Sequence, residues 1–174
     1  IDGKKIAIDI RAWLRDQVSI IEKKNNITPG LAVILVGEDP ASEIYVRNKG
    51  KQSKEVGMNS WEYRFPADTS ETKLINKIRA LNEDESVDGI LVQLPFPISS
   101  KISERNVIGC IDPNKDVDGL HTVNAGRLIT NEDGLFPATP TGCLILVKKF
   151  TDTLAGKRGL VIGRSNLVGK PISS

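Results

Sequence analysis

The sequence predicts an α/β fold on a mostly parallel sheet, and three observations carry the prediction. Helical and strand-like apolar patterns alternate along the chain, the grammar of strand–helix–strand crossovers. Leu31 to Val36 is apolar at every position, as expected of a strand covered by helices on both faces. Gly159 to Pro171 then reads as a strand, a glycine-bounded turn and the start of a helix, opening a second unit.

Taken in order, Ile6, Ile10, Trp13, Leu14, Val18 and Ile21 recur at three- and four-residue steps. They give the first helix one apolar face, expected to pack on the sheet. Pro29-Gly30 and Gly37 bound the first strand, and Asp39-Pro40 turns the chain into a helix over 41–56 closed by Gly57. Gly50 inside that helix costs about 1 kcal/mol relative to alanine. Trp61 to Phe65 reads as the next strand. Asp68-Thr69-Ser70-Glu71 has capping-box spacing and opens a helix whose core face is Leu74, Ile75, Ile78 and Leu81. Val87 to Leu94 follows as a strand. Residues 98–136, rich in Asn, Asp and Gly, read as irregular chain across the top of the sheet, where function is often carried. Pro137 to Gly142 punctuates before a short apolar helix over 143–150, expected to connect two domains, 1–139 and 140–174.

Composition narrows the function classes. At 174 residues with 39% hydrophobic content, the chain can bury a core. Lys+Arg 24 against Asp+Glu 22 leave a net charge of +2, so no electrostatic surplus points to nucleic acid or to an anionic membrane. The apolar runs are too short to cross a bilayer and no basic leader precedes one, which makes the cytoplasm the expected compartment. Cys110 and Cys143 stand alone, without a CxxC and with one His in the chain. That argues against a disulfide framework or a zinc site, and both read as small buried hydrophobes.

The chemistry-bearing residues gather in five blocks. The run from Val87 to Pro97 breaks at Gln93, Pro95 and Pro97, placing a polar group at a strand end, where open α/β sheets hold ligands. Gln93 by itself also reads as a polar strand terminator. Tyr45 and Lys49 lie four apart and share a helix face, although an isolated pair of this kind equally describes a solvated lysine beside a core tyrosine. In Lys115-Asp116-Val117-Asp118-Gly119, alternation turns both carboxylates to one side if the segment is extended; ordinary turn chemistry explains the run as well. His121 nearby reads as structural. Between Gly163 and Gly169 five residues intervene and Pro171 follows Lys170, which rules out a P-loop; nor is the stretch GxGxxG. A strand feeding a helix through glycines suits a pyrophosphate, and suits an ordinary strand-to-helix turn equally.

Together, Tyr45 to Lys49, Val87 to Pro97, Lys115 to Gly119, Pro137 to Gly142 and Gly163 to Pro171 resemble, in order, the bifunctional methylenetetrahydrofolate dehydrogenase/cyclohydrolase family, the FolD family. The resemblance implies an N-terminal three-layer α/β catalytic domain with a parallel sheet, followed by the start of a Rossmann-type NAD(P)-binding domain. It implies NADP as cofactor, no metal, a small-molecule folate substrate and a homodimer formed through the nucleotide-binding domain. Tyr45 is then expected to stack on the folate ring system, Lys49 to be the central catalytic group and Gln93 to hold its amine. Leu94 and Pro95 are expected substrate contacts, Pro95 and Pro97 shape the wall, and Asp118, rather than Asp116, takes the pterin's amino-pyrimidine edge. A cis Leu94-Pro95 bond suits the redirection there. Gly163, Arg164, Ser165 and Gly169 become cofactor contacts, with Arg164 facing the 2′-phosphate.

A lysine ammonium has a free pKa of about 10.4, so burial or a cationic neighbour must favour the amine before it exchanges protons near neutrality. Lys51 and Lys54 are expected to add to that pressure. Two other readings stay open, a non-enzymatic folate- or nucleotide-binding subunit and an NAD-specific dehydrogenase without the second activity. Ala138 stands where the family often has cysteine, and Gly50 interrupts a helix that is usually well formed. Family members also continue beyond the first nucleotide-binding turn, so the sequence is expected to be a piece of a longer chain. Residues 1–174 alone are therefore expected to bind NADP poorly, and tight binding in calorimetry would contradict that.

Overall fold

The computed structural model describes residues 1–174. Its centre is β1 (Gly30–Val36), flanked by β2 (Asn59–Phe65) and β3 (Gly89–Val92) in the order β2-β1-β3, with both pairings parallel. The connections are α2 (Pro40–Glu55) between β1 and β2, and α3 (Glu71–Glu83) between β2 and β3. Crossovers of one hand that step first to one side of β1 and then to the other must put their helices on opposite faces. The core divides accordingly. Ala32, Ile34 and Val36 point towards Leu74, Ile78 and Leu81 of α3, while Val33 and Leu35 join Val46 of α2 and Leu91. The apolar run of β1 has no solvent face because each alternate set meets a helix.

Local chemistry fixes the element ends. Asp39 accepts a hydrogen bond from the Ser42 N–H at 2.8 Å, with Pro40 in the first turn of α2. Gly50 does not interrupt this helix, which runs unbroken through it. α3 starts two residues later than the expected capping box. Ser70 is the cap, accepting from the Lys73 N–H at 3.3 Å. Glu71 instead turns to Ser103 and Asn106, accepting at 2.7 and 2.9 Å. β3 is shorter than the expected 87–94: Gln93 N–H still bonds to the Ile34 carbonyl at 2.9 Å, but Pro95 has no N–H to extend the ladder and the Leu94-Pro95 bond is cis.

Five expectations are corrected. α1 (Gly3–Asn25) does not pack on the sheet, because α2 already covers that face. It lies beside α2, where Arg15 Nε donates to the Glu55 carbonyl at 3.0 Å, and Val18 is its one buried residue while Trp13 stays exposed. Residues 98–136 are not merely irregular: they hold α4 (Glu104–Ile108) and α5 (Thr122–Thr130), and Val107 and Ile108 complete the α3-side core. The connector helix α6 (Ala138–Lys148) begins earlier than 143, since Pro140 in its first turn needs no N–H partner. Residues 159–163 form no strand. They have no neighbouring strand to take their hydrogen bonds, and Leu160 and Ile162 are 87% and 93% exposed. Only the short α7 (Gly169–Ser173) appears after them. Cys110 and Cys143 are half-buried rather than buried. No helix is long and apolar enough to cross a membrane.

β3 has a second neighbour on its outer edge, where Asp116 makes an isolated parallel bridge to Ile90 and the Ile90 N–H donates to the Lys115 carbonyl at 2.7 Å. The approach is close enough to require Gly89: a Cβ there would lie 2.5 Å from Val117 Cγ1. Gly89→Ala is therefore expected to lower stability by about 1–3 kcal/mol in urea unfolding. Gly50→Ala is expected to raise it by about 1 kcal/mol, since the added methyl meets only Ser60 Oγ, at 3.6 Å.

Candidate active site

α2 leaves the carboxyl end of β1 on one side, and β3 lies on the other, so the strand order reverses between them. In open α/β sheets a crevice opens at such a point. Lys49 reaches across it. Its Nζ donates to Gln93 Oε1 at 3.2 Å, and Gln93 Nε2 is fixed in turn by the Leu94 carbonyl at 2.8 Å. The amide is therefore oriented oxygen towards the lysine, by a backbone group that is itself placed at the cis Leu94-Pro95 bond. Leu94 packs against the α3-side core, whereas Pro95 is exposed.

Burial pushes the Lys49 amine below its ordinary value, opposed by the field of Asp118. Burial likewise raises the Asp118 carboxyl; the Lys49 charge lowers it and Asp116 raises it further. Both groups are driven by desolvation towards their neutral forms, and each partly restores the other's charge. They do so through space, since the protein's three ion pairs are Lys51–Glu55, Arg64–Glu43 and Arg64–Glu62. The expected push from neighbouring cations is absent: Lys51 pairs with Glu55 at 3.8 Å and Lys54 is exposed to solvent. The partner that touches Lys49 is a neutral amide, which fixes the amine without pinning its proton.

Tyr45, one turn before Lys49, is 61% exposed, so it is not a core tyrosine. Asp118 sits in a turn closed by Gly119 N–H on the Asp116 carbonyl at 3.0 Å. Gly119 has φ +61, and a Cβ there would lie 2.6 Å from the Leu135 carbonyl oxygen. Because the segment is a turn, its two carboxylates do not share a side. Asp116 points into the protein, accepting from the His121 N–H and from Asn124, while Asp118 is left facing Lys49. His121 is structural, as expected: its Nδ1 accepts from the Val123 N–H and caps α5.

Two residues behind the site have no signature in sequence spacing. Lys115 Nζ donates to the Leu81, Asn82 and Asp84 carbonyls at 3.2, 2.7 and 2.9 Å, closing the carboxyl end of α3. Asn124, fully buried, donates to both Asp116 and the Pro113 carbonyl. The only sequence cue for Lys115 is a cation arriving where a helix end needs one; for Asn124 there is none.

At the other end of the chain, Ser165 Oγ accepts from the Val168 and Gly169 N–H groups at 3.1 and 3.3 Å, and Gly169 is buried against the backbone of Gly163. The turn thus occupies two of its own amides and leaves Arg164 as an exposed cation outside any ion pair. These residues form a compact glycine-bounded turn with a free guanidinium, which fits a phosphorylated ligand, although the strand expected to precede it is not formed. A cavity of about 420 Å³ between α1 and Lys149 and one of about 220 Å³ beside Arg11 and Lys51 include none of Lys49, Gln93 or Asp118.

A part-buried amine on a neutral amide, with a desolvated carboxylate opposite, stands at the switch point of a parallel α/β sheet. Residues 1–118 match the catalytic domain of tetrahydrofolate dehydrogenase/cyclohydrolase, and residues 137–174 match that family's NAD(P)-binding domain. The chain belongs to the tetrahydrofolate dehydrogenase/cyclohydrolase family. It is 53% identical over 173 residues to the bifunctional protein FolD of Parvibaculum lavamentivorans, covering 99% of this chain and 57% of that one. Among solved structures, the FolD methylenetetrahydrofolate dehydrogenase/cyclohydrolase of Campylobacter jejuni superposes with a TM-score of 0.93 at 39% identity, covering 98% and 60% of the two chains. The Trypanosoma brucei enzyme, complexed with NADP cofactor and an inhibitor, gives 0.91 at 31%, covering 99% and 58%. The chain thus spans about 57% of the length of the first of these relatives.

The lowered Lys49 pKa has a consequence for stability. Below the folded-state pKa both folded and unfolded chains carry the charge, so the native state bears the full burial cost; as pH rises towards the unfolded value of about 10.4 that cost disappears. Lys49→Met is therefore expected to melt no lower than the parent at pH 7, with the difference shrinking as pH approaches 10. A reversible thermal midpoint clearly below the parent's at pH 7 would contradict this.

Proposed function

We propose that residues 1–139 are the folate-binding catalytic domain, and 140–174 the beginning of the dinucleotide-binding domain, of a bifunctional one-carbon enzyme. It oxidises 5,10-methylenetetrahydrofolate to 5,10-methenyltetrahydrofolate with NADP+ and hydrolyses the product to 10-formyltetrahydrofolate. The observation that carries this reading is the Lys49–Gln93 contact, in which a desolvated lysine is held by an uncharged group. Family membership and the conjunction of Tyr45, Leu94, Pro95 and Asp118 around that contact support it.

In this reading Tyr45 offers an open ring face on which the folate rings stack. The Asp118 carboxylate accepts hydrogen bonds from the amino-pyrimidine edge, and Leu94 and Pro95 form the wall. Bound at Gly163, Arg164, Ser165 and Gly169, NADP+ supplies the hydride acceptor, and the chain's contribution to that step is placement of the methylene carbon. Hydrolysis makes more use of the side chains. Water adding to the methenyl cation gives up one proton, which the neutral Lys49 amine accepts. Collapse of the adduct moves a second proton from the new hydroxyl to the ring nitrogen as its bond to the carbon breaks, and Lys49 returns its own proton to solvent. Gln93 keeps the amine pointed at that carbon throughout. The unpaired Arg164 favours NADP over NAD. A homodimer and a cytoplasmic location belong to the same proposal and rest on the family resemblance.

The test follows methenyltetrahydrofolate absorbance with the full-length protein, supplying methylene or methenyl substrate and NADP+ or NAD+. Both activities with preference for NADP+ are expected; NAD+ preference would identify an NAD-specific dehydrogenase, and inertness a binding subunit. In Lys49→Met, hydrolysis is expected to fall by about 10²–10⁴-fold with folate binding retained. Unchanged hydrolysis would refute the assignment of Lys49.

A further inference from the structure

Asp116 is an ionisable side chain with 1% exposure, two residues from Asp118, and the chemistry proposed above makes no use of it. Removing a carboxylate from water is unfavourable unless hydrogen bonds replace the lost solvation. Here they do. Its Oδ2 accepts from the His121 N–H at 2.8 Å and from Asn124 Nδ2 at 3.0 Å. Asn124 is itself anchored, donating to the Pro113 carbonyl at 2.8 Å and accepting from Arg127 Nη1 at 3.3 Å. The Asp116 backbone bridges to Ile90 of β3 and accepts the Gly119 N–H that closes the turn under Asp118. One residue thus ties the sheet edge, the start of α5 and the Asp118 turn together. Both donors converge on a single oxygen, so a neutral amide oxygen could receive them equally well, and the tie alone does not require a charge.

We propose that Asp116 is a positioning residue for folate recognition: clamped by Asn124 and the His121 N–H, it aims Asp118 at the bound ligand and holds a negative charge behind it. This rests on the folate reading of Asp118. The charged groups facing Asp118 are Lys49 from α2, which favours its ionised form, and Asp116 from its own turn, which opposes it. Arg127 of α5 reaches Asn124 rather than either carboxylate, and Lys115 is turned away to the end of α3. Two carboxylates at one site hold a proton more firmly than one, so Asp116 keeps Asp118 a stronger acceptor towards the donors of its ligand.

Three variants of the full-length enzyme test this in the oxidation of methylenetetrahydrofolate, the step that makes no use of the Lys49 amine as a base, by the pH dependence of kcat/KM and by the separate kcat and KM values. Asp118→Asn is the control for the underlying reading: it should raise KM and erase the acid limb of the profile, and if it does neither, the folate role of Asp118 fails rather than the role of Asp116. With that control in place, Asp116→Asn preserves shape and removes the charge, and should move the acid limb to lower pH by about 1 unit or less. Asn124→Ala preserves the charge and removes the clamp, and should raise KM by about tenfold with kcat within about twofold. An acid limb that stays in place in Asp116→Asn overturns the proposal. So does an unmoved KM, or a kcat loss as large as the KM rise, in folded Asn124→Ala. If Asn124→Ala does not fold, Asp116→Asn decides alone.

Discussion

A lysine amine held in a partly dry crevice by an amide that carries no charge is the constraint around which the rest of the structure is arranged. A carboxylate in direct contact would satisfy Lys49 better and silence it, because an ion pair holds the proton on the nitrogen. The amide leaves the amine oriented and under-compensated, and Asp118 supplies only as much field as distance allows. Each supporting feature serves that balance. The Leu94 carbonyl fixes which way the amide faces, β3 ends where Pro95 removes its ladder bond, and the reversed strand order brings α2 over the end of β3. Such groups are stabilised less than an ordinary exposed pair would be, the usual relation between a functional site and the fold that holds it.

The parts of this arrangement that follow from short-range rules are legible in the chain itself. Uniform apolarity at Leu31 to Val36 announces a doubly covered strand, and Tyr45 with Lys49 announces a shared helix face; both hold. Gln93 at the end of an apolar run, and its contact with Lys49, are where the family resemblance implies they should be. The cis bond before Pro95 is also present.

What the chain does not disclose depends on partners distant in sequence. The apolar face of α1 looks like any core face, and only the prior occupation of the sheet by α2 sends it elsewhere. Alternation at Asp116 and Asp118 assumes an extended backbone, whereas Asn124 and the Gly119 N–H fold it into a turn and divide the two carboxylates. Residues 159–163 have the composition of a strand, but a strand is a property of a pair, and no second strand lies beside them. In each case the local preference was real and a long-range contact, present or missing, outweighed it.

The bridge between Asp116 and Ile90 also bears on solubility. An open parallel strand edge offers unpaired amides and carbonyls to any passing chain, and β3 is apolar at Ile90, Leu91 and Val92. The loop that presents Asp118 lies along that edge and takes its Ile90 amide, while the opposite edge, at β2, is guarded by the charges of Glu62 and Arg64. The Asp118 segment thus also covers that edge against intermolecular strand addition, so variants that loosen the turn uncover strand amides as well.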